Sequence, residues 1–447
     1  MKKNIFLGVI YLIDIEKFFS GFLNMTKNPT LDAMKFFMDV YDHVDEKLKI
    51  IHVAGTNGKG ACVEIMANIL IENGYSVGKF MSPHLIKYNE RININNEDIS
   101  DLDLSDLIIE IMPHIDFYNQ NHERKVTLFE IETTLALVYF YRKKVDFVIL
   151  ETGLGGLHDC TNIIKKPLIS IITSIGFDHV NILGHSLVEI AQQKAGIIKK
   201  NSRTVFFEQN EQVNKIISGT ARGRQNKLSF INKNEIKNYS FDFDYQKFSY
   251  KDFKNVMLNL KGKSQVKIAC LCLESVKILR RMGYKIYKKN IVHALKNIVH
   301  RARFEILNQD PLIIFDGAHN KPAIKNLMST INMYYKNNLA RNYLICILKR
   351  KDYFGMLKIL LEEKYNSRAN FIFISVNNGQ KDFFVPAQEL YEIANEIKNP
   401  DQKIYIKTFD EAIGDLFKNN QEQINFVTGS FYVYGEIITT IKDTTQS

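Results

Sequence analysis

The stretch from Lys49 to Gly74 constrains this chain more than any other. Lys49-Ile50-Ile51-His52-Val53-Ala54 is a short apolar run. Gly55-Thr56-Asn57-Gly58-Lys59-Gly60 follows at once, and Cys62 to Asn73 then shows helical apolar spacing, with Gly74 as a stop. This order predicts a strand, a tight glycine-rich turn and a helix. Glycines let backbone N–H groups close around an anion, and the helix N-terminus adds positive potential. Lys59 is placed to reach outer phosphates as a point charge. A lone G-x-x-G-K would leave an ordinary βα turn as the plainer reading. Strand, glycines, lysine and helix together point instead to ATP, with Gly55 to Ala61 as its loop.

The same alternation continues along the chain. Ser76 to Met81, Val145 to Glu151 and Leu168 to Ile175 read as strands, and Phe129 to Lys143 and Leu187 to Ile197 as helices. Continuous β-branched runs suit strands buried on both faces, so a mostly parallel sheet with helices on both sides is expected. Residues 201–265 break the pattern. Thr204 to Phe207, Leu228 to Ile231 and Phe241 to Tyr250 look like pieces of a β-meander before a long helix, Gln265 to Met282. A second α/β block begins near Arg303, with strands Leu312 to Phe315, Tyr343 to Ile347, Asn370 to Val376, Lys403 to Ile406 and Ile424 to Thr428. The expected architecture is therefore α/β with two domains, 1–300 and a smaller Rossmann-like 301–447, divided at His300-Arg301-Ala302.

Composition narrows the function classes. Net charge is +10, but the lysines are dispersed, no dense basic block occurs and Trp is absent. This argues against nucleic acid and for anionic small ligands. The five cysteines are odd in number and show no framework spacing; reduced core thiols of a cytoplasmic protein are expected. No run reaches the ~20 apolar residues that span a bilayer, and Ile10 to Phe22 reads as an amphipathic helix.

Further motifs then fall in a fixed order. They are Ser82-Pro83-His84-Leu85, Asn89-Glu90-Arg91-Ile92, Phe129-Glu130, Glu151-Thr152-Gly153-Leu154-Gly155-Gly156 with Asp159 and Thr161-Asn162, and Gly176-Phe177-Asp178-His179. Gln193-Lys194-Ala195-Gly196-Ile197-Ile198, Arg303-Phe304-Glu305, Asp316-Gly317-Ala318-His319-Asn320, Lys351-Asp352 and Thr428-Gly429-Ser430-Phe431-Tyr432 complete them. With the loop at Gly55, this series over about residues 48–436 resembles the folylpolyglutamate synthase/dihydrofolate synthase branch of the Mur ligase superfamily.

The resemblance implies an N-terminal Mur-ligase-type P-loop ATPase domain and a C-terminal glutamate-ligase domain. The implied activity is ATP-dependent addition of L-glutamate to the terminal carboxylate of a folate. It proceeds through an acyl phosphate, releases ADP and phosphate, and makes a C–N bond; dihydrofolate synthesis is a further option. It places Mg²⁺ on Ser82, Glu151 and His179, a second Mg²⁺ on a carbamylated Lys194, and ATP on Lys59, Arg303 and Asp316. His319 is set near the phosphates and the incoming amino acid. Pro83, His84 and Arg91 fall on the folate side, and Ser430 and Tyr432 near glutamate. On the residues alone, Ser82 reads equally as a turn residue, His179 as a core or loop histidine, Lys194 as a solvated helix lysine, Asp316 as a helix N-cap and Arg303 as a domain-edge salt bridge. Folate and glutamate are the implied partners of a monomer.

Several positions depart from the family pattern. Ala61 stands where Ser is usual, Leu157-His158 where Arg-Leu is, and Ser264 and Ile268 where His and Asn are. A lost neutral hydrogen bond costs ~0.5–1.5 kcal/mol, so such changes weaken nucleotide binding without necessarily abolishing it. A Mur-type ligase acting on another carboxylate and a catalytically weakened paralogue stay open as alternatives.

Overall fold

The computed structural model describes residues 12–22, 29–335, 340–376, 383–418 and 423–446. The first sheet comprises β1 (Ile50–Ala54), β2 (Val77–Phe80), β3 (Ile92–Ile94), β4 (Glu97–Asp98), β5 (Phe147–Glu151), β6 (Ile169–Ile172), β7 (Arg203–Phe207) and β8 (Lys227–Ile231), in spatial order β4-β3-β2-β5-β1-β6-β7-β8. The six strands from β2 to β8 in that order run parallel, and β3 and β4 finish one edge antiparallel. Every residue of β1, β5 and β6 is buried. Successive side chains feed opposite layers, as strand geometry requires. Ile51, Val53, Phe147 and Ile149 pack with the helices Lys59–Ile71 and Lys263–Arg281, whereas Ile50, Val148 and Leu150 pack with the helix Leu128–Arg142.

Two of the segments expected in a meander prove otherwise. Thr204 to Phe207 and Leu228 to Ile231 belong to β7 and β8, which extend the parallel sheet. The connection between them is a helix, Glu211–Gly223, that buries only Val213, Ile217 and Ala221. Its apolar positions recur at i, i+4 and i+8 behind the Asn210 cap, an amphipathic helical pattern; the weak signal is that of β8, a half-exposed edge strand that buries only Ile231. The third segment does form antiparallel structure, but Phe241 to Tyr250 is not continuous. β9 (Ile236–Phe241) and β10 (Gln246–Tyr250) are separated by a turn in which the Asp242 carboxylate accepts the backbone N–H groups of Asp244 and Tyr245, and β11 (Phe253–Leu258) completes a small sheet.

The third sheet contains β12 (Glu305–Gln309), β13 (Leu312–Asp316), β14 (Ala340–Ile345), β15 (Asn370–Ser375), β16 (Lys403–Thr408) and β17 (Gln423–Thr428), ordered β12-β13-β17-β14-β15-β16. All but β12 are parallel. β12 is an edge strand without a fully buried residue, which is why no apolar run announced it. At the N-terminus the helix is Ile15–Ser20, capped by Asp14; Ile10 and Tyr11 of the expected helix lie outside the described residues. All five cysteines are free and four are buried. Among the described residues no helix is long and apolar enough to cross a membrane.

Candidate active site

The site gathers at the carboxyl ends of β1, β5, β6 and β13, where open parallel sheets place ligands. The loop after β1 is pinned by the loop after β6. Thr56 N–H donates to Ser174 O at 2.6 Å, Thr56 Oγ1 to Gly176 O at 3.1 Å, and Asn57 N–H to Ser174 Oγ at 3.2 Å. Two glycines are needed for this. A Cβ on Gly55 would lie 1.8 Å from Thr173 Oγ1. Gly58 begins the helix at φ +85°, and its Cβ would lie 2.7 Å from Ile268 Cδ1. Only glycine accepts that backbone readily.

Two lysines enter the loop. Lys59 Nζ donates to Gly55 O at 3.3 Å and lies 3.7 Å from Glu151 Oε1. Lys194 Nζ donates to the same carbonyl at 2.9 Å. Glu151 ends β5 with 4% exposure. Burial pushes its carboxyl up to about 7, against the pull of Lys59, the Ser82 N–H and Arg303. Burial, reinforced by Lys59, brings Lys194 down to about 7. Lys194 is thus a buried amine whose neutral form is accessible at neutral pH, and the solvated-helix reading is excluded by its 3% exposure.

The second wall comes from the third sheet. Asp316 ends β13 and accepts the Phe304 N–H at 3.0 Å. The Arg303 guanidinium stacks 4.4 Å from the centre of the Phe431 ring and faces both Asp316 and Glu151. His319 donates from Nδ1 to Gly317 O at 2.8 Å, because a carbonyl can only accept; this leaves its Nε2 lone pair free, 4.0 Å from Asp178 Oδ2. Burial holds His319 down to about 3 and His179 down to about 4, so both rings are neutral at pH 7. Burial alone would raise Asp178, but Lys351, His179 and His319 hold it well below the usual carboxylate range.

The walls are joined directly. Asn57 Nδ2 donates to Asn320 Oδ1 at 3.0 Å, and Asn320 Nδ2 donates back to Asn57 Oδ1 at 3.1 Å and to Asp178 Oδ2 at 2.9 Å. Asn320 also caps the helix Lys321–Tyr334. Beside this seam lies a cavity of about 260 Å³ lined by Asn57, Gly58, Ala61, Ser264, Ile268, Arg303 and Asp316, among others. Three of the four family departures, Ala61, Ser264 and Ile268, therefore line one cavity.

The residues expected on the folate side form a separate cluster. Ser82–Pro83 is a cis peptide, and Pro83 is exposed. Arg91 Nε donates to His84 Nδ1 at 2.9 Å and Arg91 Nη1 to Glu132 Oε2 at 2.7 Å. The Tyr88 ring lies 4.4 Å from that of His84. Glu132, missed in sequence, is 2% exposed, and burial pushes it up to about 7 despite Arg91. Its signal was a carboxylate on an otherwise apolar helix. The neighbouring Glu130 accepts from Thr127 and Arg124 in a capping box, a structural role. Ser430 Oγ accepts the Tyr432 N–H at 3.2 Å, a local turn contact, while Tyr432 lies within electrostatic reach of Tyr88. Lys351, present in the sequence only as part of the Lys351-Asp352 motif, also enters the site.

A glycine-lysine phosphate loop on a parallel sheet, facing a second α/β sheet across a seam of polar side chains, defines a Mur-ligase-type protein. Residues 53–275 match the Mur ligase middle domain and residues 300–440 the C-terminal domain of dihydrofolate synthetase. The chain is 32% identical over 444 residues to the dihydrofolate synthase/folylpolyglutamate synthase of Bacillus subtilis (strain 168), covering 95% of this chain and 97% of that protein. It belongs to the dihydrofolate synthase/folylpolyglutamate synthase family. It is also 30% identical to the folylpolyglutamate synthase of Lacticaseibacillus casei, over 69% of this chain and 73% of that one. The crystal structure of folylpolyglutamate synthase from Thermotoga maritima superposes with a TM-score of 0.80 at 26% identity, covering 96% of each chain. The Mycobacterium tuberculosis folylpolyglutamate synthase complexed with ADP and AMPPCP shares the fold, with a TM-score of 0.84 at 22% identity over 96% of this chain and 97% of that one.

Proposed function

We propose that this protein is an ATP-dependent ligase that joins L-glutamate to the terminal carboxylate of a folate, through an acyl phosphate, with release of ADP and phosphate. The observation that carries this reading is the meeting of the phosphate loop with the β13 loop at Asn57–Asn320, because ligation needs a phosphorylated acid and an amine held in one water-poor place. Domains 1–300 and 301–447 would supply these two halves. Gly55, Gly58 and Gly60 would offer backbone donors, with Thr56 holding the loop against Ser174, while Lys59 and Arg303 offset negative charge on the transferred phosphoryl group. Asp316 stands at the nucleotide cavity. His319, with its Nε2 lone pair free, is the side chain placed to take the proton lost by the attacking amine.

The residues fit Mg²⁺ as a resident ion. Ser82, Glu151 and His179 would hold it, since a hard cation that keeps several waters needs few protein ligands. The buried Glu151 carboxylate is faced by Lys59 and Arg303, and the His179 ring is neutral at pH 7, with one nitrogen lone pair to offer. An ion held there would supply positive charge opposite the outer phosphates. Among the described residues no three His, Cys, Asp or Glu side chains form a metal group by themselves, and a hydroxyl–carboxylate–imidazole set does not call for one. Lys194, as a neutral amine, can bond CO₂ with loss of one proton to give the carbamate that a second ion would use. His84, Pro83 and Arg91 would contact the folate, and Ser430 and Tyr432 the glutamate, in a cytoplasmic monomer.

Phosphate release measured with tetrahydrofolate or dihydropteroate, with and without glutamate, tests the proposal. Glutamate-dependent turnover is expected with tetrahydrofolate. Turnover only with another carboxylate acceptor would mark a diverged Mur-type ligase. The clustering of Ala61, Ser264 and Ile268 on one cavity favours the second reading, a weakened paralogue, and ATP binding without turnover on any acceptor would establish it.

A further inference from the structure

Lys351 lies in the loop after β14, where its backbone N–H donates to Leu348 O at 3.0 Å. Its side chain leaves that loop and enters the first unit. Nζ donates to Asp178 Oδ1 at 2.7 Å and sits 3.2 Å from His179 Nε2, with only 4% of the side chain exposed. The other Asp178 oxygen takes Asn320 Nδ2 at 2.9 Å and faces His319 Nε2 at 4.0 Å. Asp178 Oδ1 also accepts the His179 N–H at 2.9 Å, closing a turn in which His179 adopts φ +49°. One carboxylate thus sits between two histidines from different halves of the molecule, and one ammonium fixes it.

A surface clamp does not explain this arrangement. Lys351 also faces the like charges of Arg350 and Lys59, so its burial is unfavourable apart from Asp178. Buried ion pairs contribute little net stability but strongly specify geometry in some systems. A left-handed histidine is strained backbone that must be held by its surroundings.

We propose that Lys351 is a positioning residue for ligation. Delivered by the C-terminal unit, it locks Asp178, and through Asp178 it sets His179 toward the phosphates and His319 toward the amine only when the two units are closed. This rests on the ligase reading above. It makes the reactive constellation conditional on closure, which keeps an acyl phosphate from forming in an open, wet site.

The test compares wild type, Lys351→Met, Lys351→Arg and the double variant Asp178→Asn/Lys351→Met in glutamate-dependent phosphate release from MgATP and tetrahydrofolate. We expect Lys351→Met to lower kcat on the order of 10²-fold, the scale of an ångström-level misplacement. The KM for ATP should stay within about threefold of wild type, since uniform binding is untouched. Lys351→Arg should regain part of kcat. The double variant should be no slower than Lys351→Met, because both changes break one unit. Wild-type kcat in Lys351→Met would overturn the proposal, as would strictly multiplicative losses in the double variant. If Lys351→Met fails to fold, the charge-free double variant decides, and kcat near wild type there overturns it. Absence of glutamate-dependent release in wild type itself overturns the ligase reading and this proposal with it, whereas normal wild-type turnover with an unaffected Lys351→Met overturns this proposal alone.

Discussion

Lys59 and Lys194 direct their ammonium groups at a single acceptor, the carbonyl oxygen of Gly55, from 3.3 and 2.9 Å. The oxygen can accept from both donors, but burial, reinforced by the neighbouring Lys59, brings the Lys194 amine down to about 7.

That shift makes a prediction with a definite sign. Lys194 in the folded protein titrates near 7 and in an unfolded chain near 10.5. Between these values the unfolded chain holds a proton that the folded protein lacks, so stability rises with pH, by up to about 1.4 kcal/mol per pH unit. Lys194→Met lacks this slope. Urea unfolding of both proteins at pH 7 and pH 9 in carbonate-free buffer should show wild type gaining on the variant by ~1–3 kcal/mol. A difference that stays flat or moves the other way would mean that Lys194 keeps an ordinary pKa.

Gly58 is predicted to be irreplaceable for two separable reasons, its φ of +85° and the approach of Ile268 Cδ1 to 2.7 Å from an added Cβ. Left-handed backbone costs a non-glycine residue roughly 1–2 kcal/mol. Gly58→Ala should therefore weaken binding of a fluorescent ATP analogue by at least about tenfold. Adding Ile268→Ala should recover part of this, by relieving the clash while leaving the dihedral cost. Full recovery, or none, would show that one of the two causes acts alone.

These examples show what the sequence could and could not disclose. Strand, glycine loop and helix around Lys59 are contiguous, so local spacing carried them. β8 reads like a meander piece because it is a half-exposed edge strand, and β12 gives no apolar run because it is a half-exposed edge as well. For Lys351 the Lys-Asp motif, and for Glu132 a carboxylate among apolar helix residues, mark the position but not the partner. The partner of Lys351, Asp178, is 173 residues away, and Asn57 meets Asn320 across 263. A lysine in a loop and a glutamate on a helix acquire meaning only when folding buries them beside those partners.

The Arg91–Glu132 pair illustrates the energetics of such burial. Removing one member of a buried ion pair costs ~3–5 kcal/mol, while replacing both is often neutral. Arg91→Met should lower stability at pH 7.5 by that amount, and Arg91→Met/Glu132→Met should restore most of it. Glu132 already rises to about 7 with Arg91 present, and without it the carboxyl rises further. The penalty in Arg91→Met should then shrink toward pH 5, where Glu132 is neutral. Denaturant titrations at the two pH values check this; a penalty independent of pH would point to lost packing instead.

The reciprocal amide pair between Asn57 and Asn320 is the direct tie between the phosphate loop and the β13 loop. It can be isolated because Asn320 has a second duty as helix cap. Serine is an equally good N-cap but is too short to reach Asn57, so Asn320→Ser keeps the cap while removing the tie together with the bond to Asp178, and a double-mutant cycle with Asn57→Ala separates the two. Each neutral hydrogen bond contributes ~0.5–1.5 kcal/mol. Asn57→Ala should destabilise the protein by about that amount, Asn320→Ser by more because its bond to the Asp178 carboxylate goes as well, and the double variant by little more than Asn320→Ser alone. The resulting coupling of about 1 kcal/mol lies within the range measured for residues in contact. Because Asn57 is also part of the loop that would bind nucleotide, a saturating nonhydrolysable ATP analogue should enlarge the coupling if nucleotide draws the two halves together. A coupling near zero in both states would mean that the two amides touch without holding the halves of the site to one another.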